Sequence, residues 1–449
     1  MKKLISLLLA VAVVLSCAAA SADLKTAKET NPTADLQIVI NKAGDNPWPV
    51  DENGFLLSSP TTGRTQEELM ENFQEGFSGM VLTGKYYPIL VQHCGFAGAV
   101  GVGAPFYGSY ADIYYEMAKS KFGHARMTML FNDYLPKYAG GSRSIRVGYL
   151  WIRQEWNAPL FYQGEQKAKG TSVPELANKM GIPNSTGKSV GKTVPWSDIM
   201  LFNGLAGSKK WLAYKYRVMS RPAECNVIWD LPGARANLLE ERSWEDHNHT
   251  LKFGEMAVEG DPANNIYVLW KDDGAKQYDG GKGEYYYYNS WYQYDPDENV
   301  YYRYAIDDMD NPENGAKLFA EQLIEDEQIE RSNKNGERSG SKITKCTLSE
   351  GDPITFSNVI IQYIEMSWKT GSERPLPTLY GKGNADYFIG GKHYNGVWQR
   401  GDGGETEYDA RTVFYGTDGN EISLQPGRTM IILMDWQTEH RAVKYENVN

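Results

Sequence analysis

The sequence predicts an α+β protein, with a mixed α/β amino-terminal domain followed by a mainly antiparallel, β-rich carboxy-terminal domain. Between residues 65 and 240, apolar runs of strand length alternate with helix-spaced segments, which is typical of α/β layers. From Lys252 onward the pattern changes to short strands separated by turns such as Asp418-Gly419-Asn420. A chain of 449 residues is long enough for two or three domains, each with its own core.

Residues 1–22 have the composition of an export signal. Two lysines precede the apolar run Leu4 to Leu15, and small residues follow it. This run is shorter than the roughly 20 apolar residues that a membrane-spanning helix needs. Cys17 stands where a bacterial lipoprotein carries its lipid, whereas Ala20-Ser21-Ala22 suits ordinary signal cleavage. We therefore expect an extracytoplasmic protein that is either secreted or anchored to the cell membrane through lipidation of Cys17.

Charge and cysteine spacing exclude several classes of protein. Removing the signal takes away two lysines and changes the formal net charge from −11 to −13, so we expect no nucleic acid partner. The cysteines Cys94, Cys225 and Cys346 are far apart and lack CxxC spacing, which predicts neither a zinc site nor a disulfide framework. We interpret them as small buried thiols, with one disulfide left open. No cofactor is predicted.

The amino-terminal domain is predicted over residues 65–240, after a polar tether at 23–64 that is rich in turn-forming residues. Apolar spacing and run length give its elements in chain order. They are a helix over Gln66 to Phe77, a buried strand over Tyr87 to Gln92, a short helix over Tyr110 to Met117, a strand over Arg126 to Phe131 and a helix over Ser144 to Trp156.

A linker is predicted near Glu240 to Thr250, where charged residues crowd together, and the β-rich domain follows over residues 251–445. Its expected strands are Asn265 to Trp270, Tyr285 to Tyr294, Tyr301 to Ala305, Val359 to Met366 and Met430 to Met434. Leu318 to Ile329 alternates apolar and acidic residues at helical spacing before a polar stretch. We therefore predict an acidic helical and loop insert near residues 308–350.

Several motifs recur in the order of a known family. In the amino-terminal half they are YPILVQ, the segment ADIYYE ending in Glu116, Arg126 before an apolar strand, and SRSIR with Arg143 and Arg146. In the other half they are WYQYDPDENVYYR from Trp291, SNVII from Ser357, GKGNADYFIGGKHYNGVWQR from Gly381 and DGNEISLQPGRTMI from Asp418. This series resembles the bacterial envelope family known as domain of unknown function 3048, whose members are described as YerB-like lipoproteins.

The resemblance implies an amino-terminal domain with its companion carboxy-terminal domain, and it implies no reaction. The chain departs from the family pattern in two places. AECNV stands where the family tends to have APHNL, so that Glu224 and Cys225 replace a proline and a histidine. A role for the family's histidine therefore cannot be carried over to this chain. The second departure is the acidic segment after Arg303.

Glu116, Arg126, Arg143 and Arg146 form the candidate ligand-binding site. The planar guanidinium group of arginine binds carboxylate or phosphate through two hydrogen bonds and keeps its charge when partly buried. If Glu116 held one guanidinium in place, the others would be available for an anionic ligand. The alternative is an internal salt-bridge network that joins a helix to the sheet, and such pairs are weak indicators of function.

The sequence carries no nucleophile signature, and paired carboxylates for glycoside hydrolysis stay open because their separation depends on the fold. The chain has no GxSxG or HExxH motif, and His93 and Cys94 would point to opposite faces if their strand continued past them. Two further histidines, His247 and His249, lie on the charged linker and make a poor metal site. The aromatic run Tyr285 to Tyr288, with Trp291, invites stacking on carbohydrate, but strands also favour these residues for packing.

We therefore expect an exported, lipid-anchored envelope protein without catalytic activity that binds an anionic envelope polymer or an envelope protein. The alternative is an enzyme that cleaves cell-wall glycan or peptide, with Glu116 as the acid or base. A third interpretation is a purely structural partner of membrane machinery.

Overall fold

The computed structural model describes residues 24–27, 38, 50–53, 56–72, 88–95, 104–118, 125–184, 188–190, 192–195, 198–205, 210–239, 251–256, 259–270, 277–278, 285–286, 289–306, 312–331, 340–368, 374–402, 404–435 and 442–447. The export signal with Cys17, the predicted linker at Glu240 to Thr250, and the histidines His124, His247 and His249 lie outside these residues. In the described part of the chain, no helix is long and apolar enough to cross a membrane.

Four α-helices have both ends inside the described residues, and all are short. They are α1 (Gln66–Asn72), α2 (Gly148–Glu155), α3 (Val173–Lys179) and α4 (Leu231–Ala234). The last two begin at capping side chains, because Ser172 accepts the N–H of Glu175 and Asp230 accepts the N–H of Gly233.

Strands account for most of the ordered elements in both halves of the chain. Those before residue 240 are β1 (Lys25–Thr26), β2 (Ile89–His93), β3 (Ile113–Ala118), β4 (Ala125–Phe131), β5 (Ala139–Gly140), β6 (Leu160–Tyr162), β7 (Lys188–Ser189), β8 (Lys192–Thr193), β9 (Leu201–Asn203), β10 (Lys215–Val218) and β11 (Val227–Trp229).

Those after residue 250 are β12 (Asp261–Pro262), β13 (Asn265–Leu269), β14 (Gln277–Tyr278), β15 (Tyr285–Tyr286), β16 (Asn289–Asp295), β17 (Val300–Ile306), β18 (Lys317–Leu318), β19 (Ala320–Glu330), β20 (Ser341–Pro353), β21 (Thr355–Phe356), β22 (Asn358–Ile364), β23 (Met366–Trp368), β24 (Pro375–Pro377), β25 (Gly381–Ile389), β26 (Lys392–Arg400), β27 (Thr412–Gly416), β28 (Thr429–Asp435) and β29 (Ala442–Glu446).

The largest sheet in the described structure combines strands from both halves of the chain. Its eleven strands follow the order β12-β26-β25-β22-β28-β3-β4-β2-β6-β9, with β27 paired to β26. The halves meet where β28 runs parallel to β3, with Ile432 beside Glu116. Folding therefore joins residues that are more than 300 positions apart in sequence into the same sheet.

Two further large sheets are present in the described structure, together with the two-stranded sheets β7-β8, β14-β15 and β23-β24. A seven-stranded sheet has the order β1-β29-β13-β16-β17-β18, with β21 on β17. A five-stranded sheet has the order β19-β20-β10-β11-β5, and it also crosses between the halves because β10 runs parallel to β20.

The central strands of the largest sheet are covered on both faces. Every residue of β2, β3 and β4 is buried. On one face α2 lies so close that a Cβ built on Gly148 would be 2.7 Å from the sulfur of Met117. On the other face Tyr114 packs edge-on against Phe356 of the seven-stranded sheet, with ring centroids 5.5 Å apart. Burial on both faces explains why these strands read as continuous apolar runs.

The fold is mainly β, so the prediction of a distinct α/β amino-terminal domain needs correction. The strands predicted at Tyr87 to Gln92 and Arg126 to Phe131 are confirmed as β2 and β4, and the carboxy-terminal part is rich in antiparallel strands as expected. The predicted helix at Tyr110 to Met117 is wrong, since most of that segment forms β3. Its aromatic and β-branched residues suit a strand buried on both faces.

The predicted helix at Leu318 to Ile329 is wrong as well. The segment forms β19, an edge strand paired antiparallel with β20. Its Glu, Gln and Leu residues favour a helix intrinsically, but pairing with a thirteen-residue neighbour overrides that weak preference. The helix at Ser144 to Trp156 is confirmed, but it begins only at Gly148, so Arg143 and Arg146 precede it.

Candidate anion-binding site

The register of β3 and β4 separates Glu116 from the predicted arginines. Glu116 lies opposite Met127, and Met117 lies opposite Arg126. Because successive side chains of a strand point to opposite faces, the side chains of Glu116 and Arg126 lie on different faces of the sheet. The four predicted residues therefore form two separate clusters.

The first cluster is a buried ion pair between Glu116 and Arg303. Arg303 Nη2 lies 3.2 Å from Glu116 Oε1, and the two side chains are 0% and 1% exposed. The same guanidinium donates to Ser290 Oγ at 2.8 Å and to Tyr292 Oη at 3.1 Å. It also lies over the ring of Phe319, 4.6 Å from the ring centroid. Glu116 thus holds the guanidinium of Arg303, which lies on β17 in the carboxy-terminal half of the chain.

This environment governs the chemistry of Glu116. Burial raises the pKa of its carboxyl group, and the positive charge of Arg303 opposes that effect. A carboxylate that is buried and engaged with Arg303 is not accessible to a polymer at the surface. Glu116 therefore belongs to the buried contact between the largest sheet and the seven-stranded sheet.

The second cluster holds Arg126, Arg143 and Arg146, on the face of the sheet that α2 covers. Arg126 donates to the carbonyl oxygen of Ser144 through Nη1. Arg146 donates to the same oxygen at 3.3 Å and to the carbonyl oxygen of Ile145 at 3.1 Å. The three guanidinium groups are thus gathered around the extended segment that precedes α2.

Backbone contacts fix this segment on both sides. The N–H groups of Gly141 and Ser142 donate to the carbonyl oxygen of Val227 at 3.0 and 2.7 Å. On the other side, the carbonyl oxygen of Arg143 accepts the N–H of Gln163 at 3.2 Å. The arginines therefore sit on a segment that is held between β11 and the chain after β6.

Like charges act on one another within the arginine cluster. Burial, and then the neighbouring Arg143, lower the pKa of Arg126. Burial, followed by Arg126 and Arg374, lowers the pKa of Arg146 even further. Because guanidinium groups normally stay charged in proteins, the lowered pKa values mean that positive charge is held there at a cost in free energy.

The arginine cluster differs from the two buried arginines of the described structure that have a carboxylate partner. Arg303 pairs with Glu116, and Arg400 Nη1 lies 2.8 Å from Glu155 Oε2. Among the described residues, no carboxylate lies within 4.0 Å of the Arg126 or Arg143 guanidinium. Glu116 thus forms an ion pair with Arg303 that joins two sheets, which differs from the expected alternative of a network that joins a helix to the sheet.

Two donor atoms of the cluster lack partners. The Nε atoms of Arg126 and Arg143 are buried and have no hydrogen-bond acceptor within the described part of the structure. A buried donor without an acceptor costs about 1–3 kcal/mol, and native proteins contain few of them. A bound oxyanion would satisfy both donors and offset the repulsion between the guanidinium groups.

His93 and Cys94 contact each other at the end of β2. The strand ends at His93, so Cys94 is not held on the opposite face of the sheet, as it would be if the strand continued. Cys94 Sγ lies 3.6 Å from His93 Nε2, and His93 Nδ1 accepts the N–H of Gly95 at 3.1 Å. In a neutral ring the proton must then be on Nε2, which donates towards the sulfur. This tautomer does not act as a base for Cys94.

The other chemistry-bearing residues pack internally. Trp291 is buried, its ring lies 4.9 Å from that of Tyr304, and its Nε1 donates to Asn265 Oδ1 at 2.7 Å. The packing interpretation is therefore confirmed for Trp291. His393 Nε2 lies 2.8 Å from the buried Asp386 carboxylate. Within the described ranges, no group of three or more histidine, cysteine or acidic residues could hold a metal ion.

A separate surface cavity of about 690 Å³ lies in the carboxy-terminal half, away from both clusters. Its lining includes the acidic residues Glu255, Glu259 and Glu298 together with Lys392 and Tyr394. None of the predicted site residues contributes to it.

Comparison with known proteins gives a family match for part of the chain and a solved structure with a similar fold. Residues 325–431 match the model of the protein of unknown function (DUF3048) carboxy-terminal domain. The fold is similar to that of the YerB protein from Bacillus subtilis, whose crystal structure aligns with a TM-score of 0.55 and 14% sequence identity, covering 86% of this chain and 99% of that chain. A comparison with curated proteins finds no match. The resemblance inferred from the motifs is thus confirmed: residues 325–431 match the DUF3048 carboxy-terminal domain, and the fold of the chain is similar to that of YerB.

Proposed function

We propose that this protein is an extracytoplasmic binding protein that recognises a carboxylate or phosphate group on an envelope polymer or envelope protein. The observation that carries the proposal is the pair of buried, unsatisfied Nε donors of Arg126 and Arg143 in the described structure. An anion is the ligand that removes both the lost hydrogen bonds and the repulsion between like charges.

Access to the cluster is through its least buried member. Arg143 and Ser144 are half-buried, whereas Arg126 and Arg146 are each 4% exposed. An anionic group on a larger molecule would meet Arg143 first and reach the other two behind it. This arrangement suits a narrow terminal group, such as a phosphate or a carboxylate, better than a flat polymer face.

The place of action follows from the amino terminus of the sequence. An export signal ending near residue 22 would deliver the chain outside the cytoplasm, and lipidation of Cys17 would retain it at the membrane. Anionic groups are abundant on envelope polymers, and the net negative charge of the chain would disfavour non-specific binding to them.

Affinity capture from detergent-solubilised envelopes tests the proposal. The bait proteins are the wild type, a triple variant with Arg126→Gln, Arg143→Gln and Arg146→Gln, and the single variant Arg143→Gln, which changes the half-buried member only. Arg411→Gln is the matched control, because Arg411 is also half-buried but faces Glu421 at 3.9 Å. Each variant is first shown to be folded by its thermal unfolding transition.

Protein and glycan in the eluates are then identified. The proposal predicts a partner that is retained by wild type and Arg411→Gln and lost from Arg143→Gln. Equal capture by all folded variants would overturn it. Release of soluble fragments from purified cell walls by the wild type would favour the alternative function as a wall-cleaving enzyme if Glu116→Gln abolishes it while the variant still shows the unfolding transition of a folded protein.

A further inference from the structure

Two cysteines from distant parts of the sequence meet beneath the arginine cluster. Cys94 directly follows β2, and Cys225 lies in the turn between β10 and β11. They are 1% and 0% exposed, and both are present as thiols. The third cysteine of the described chain, Cys346, is half-buried on β20 beside Ser220.

Gly141 brings the two cysteine segments together. Its carbonyl oxygen accepts the N–H of Cys94 at 3.0 Å, and its own N–H donates to Val227 at 3.0 Å, two residues beyond Cys225. A Cβ built on Gly141 would lie 3.7 Å from the carbonyl oxygen of Cys225. The two cysteine backbones therefore lie on either side of a single glycine.

The side chains meet as well. Burial, and then the neighbouring thiol of Cys94, raise the pKa of the Cys225 thiol, so the two side chains are close enough to interact. A disulfide requires that the two cysteines approach each other, and both cysteine segments contact Gly141.

We propose that Cys94 and Cys225 form a structural disulfide when the chain folds under oxidising conditions. In the first step the thiolate of one cysteine attacks a small disulfide such as oxidised glutathione, which forms a mixed disulfide and releases one glutathione thiolate. The thiolate of the other cysteine then attacks the protein sulfur of the mixed disulfide and releases the second glutathione. Two cysteine thiols are oxidised, and one oxidised glutathione is reduced to two molecules of glutathione.

The disulfide would act on the wall of the arginine cluster. The two thiols lie near the guanidinium groups of Arg126 and Arg221, whose pKa values respond to both cysteines. A bond there would hold the end of β2 to the turn before β11, and it would close a loop of more than 100 residues, which restricts the unfolded chain. The inference does not depend on the proposed function, because the disulfide can form whether or not an anion binds.

Peptide mapping after refolding tests this inference. The full chain is unfolded and reduced, refolded in a mixture of reduced and oxidised glutathione, alkylated in denaturant and digested without reductant. We expect one cross-linked peptide pair that contains Cys94 and Cys225, with Cys346 alkylated. Alkylation of both Cys94 and Cys225, or pairing of either with Cys346 or Cys17, would overturn the inference.

Matched variants provide a second readout. In Cys346→Ser the cross-linked pair should persist, and reduction should lower the urea midpoint of unfolding as it does in the wild type. In Cys225→Ser the midpoint should not respond to reductant, and an unchanged response would contradict the proposal. If Cys225→Ser does not fold, the peptide map of the wild type decides the question alone.

Discussion

Glu116 on β3 and Arg303 on β17 form a buried ion pair between residues 187 positions apart in the sequence. The pair joins the largest sheet to the seven-stranded sheet, at the point where strands from both halves of the chain come together. Because Arg303 also donates to Ser290 and Tyr292, its guanidinium depends on one carboxylate for charge and on two hydroxyl groups for orientation.

Removing the charge of Glu116 should therefore destabilise the fold strongly. Glu116→Gln leaves Arg303 buried without a counter-ion, which typically costs about 3–5 kcal/mol. The measurement is the free energy of unfolding in urea. The control is Glu405→Gln, which removes the partner of Lys179 in an exposed pair and should have no measurable effect. A loss below about 1 kcal/mol in Glu116→Gln would contradict the importance of this pair.

A pair of buried carboxyl groups predicts a pH dependence of stability. Burial, and then the neighbouring Asp133, raise the pKa of Asp112 above its ordinary value of 3.8, although Thr61 donates to it at 2.6 Å. A carboxyl group whose pKa is raised on folding contributes stability below the unfolded pKa and loses it as the pH rises through the folded pKa. Ionisation of Asp112 should therefore weaken the fold as the pH rises from about 4.

The variant Asp112→Asn should remove this effect. Relative to the wild type it should become progressively more stable as the pH is raised from 4 towards 7, in urea unfolding at a series of pH values. The exposed Asp297 provides the control, and Asp297→Asn should follow the wild-type profile. Parallel profiles for wild type and Asp112→Asn would show that Asp112 does not titrate in this range.

Gly141 supports the segment that carries the arginines, and its substitution should reveal crowding there. Gly141 and Gly381 both have a φ of +84°, but a Cβ on Gly141 would lie 3.0 Å from the ring of His93, while one on Gly381 would meet nothing within 4 Å. Both alanine variants carry the strain of the left-handed backbone, typically about 1 kcal/mol.

The comparison of the two variants isolates the contact with His93. We expect Gly141→Ala to lose at least about 1 kcal/mol more than Gly381→Ala in the free energy of unfolding, because the packed ring must shift. Equal losses would mean that the ring moves without cost and that the segment before Arg143 is not tightly held.

Parts of the fold could be predicted from the sequence because local pattern determines them. The strands β2 and β4 are continuous apolar runs, and Tyr149 and Ile152 recur at helical spacing in α2, so the sequence predicts these three elements correctly. The strand β19 was missed because its residues favour a helix, and only its long partner β20 makes it a strand. The strand β3 was missed because burial on both faces removes the alternation that marks a strand.

The sequence predicts the arginines of the candidate site but not the position of Glu116, because that position depends on strand pairing. The order of residues indicates that Arg126, Arg143 and Arg146 come from neighbouring elements, and the structure does gather them. The side on which Glu116 lies depends on the register of β3 and β4, which the sequence does not specify without the pairing. Its partner Arg303 is far away in sequence, so only the folded chain could reveal the pair.

The most direct test of the central claim is calorimetric titration of the purified protein with inorganic phosphate, and with acetate as a carboxylate probe. We predict saturable binding of at least one probe by the wild type, weaker at higher ionic strength. Arg143→Gln should lower the affinity at least about tenfold, or about 1.4 kcal/mol, while Arg411→Gln should leave it unchanged. Absence of binding of either anion to the wild type, or equal affinity in Arg143→Gln, would contradict the account.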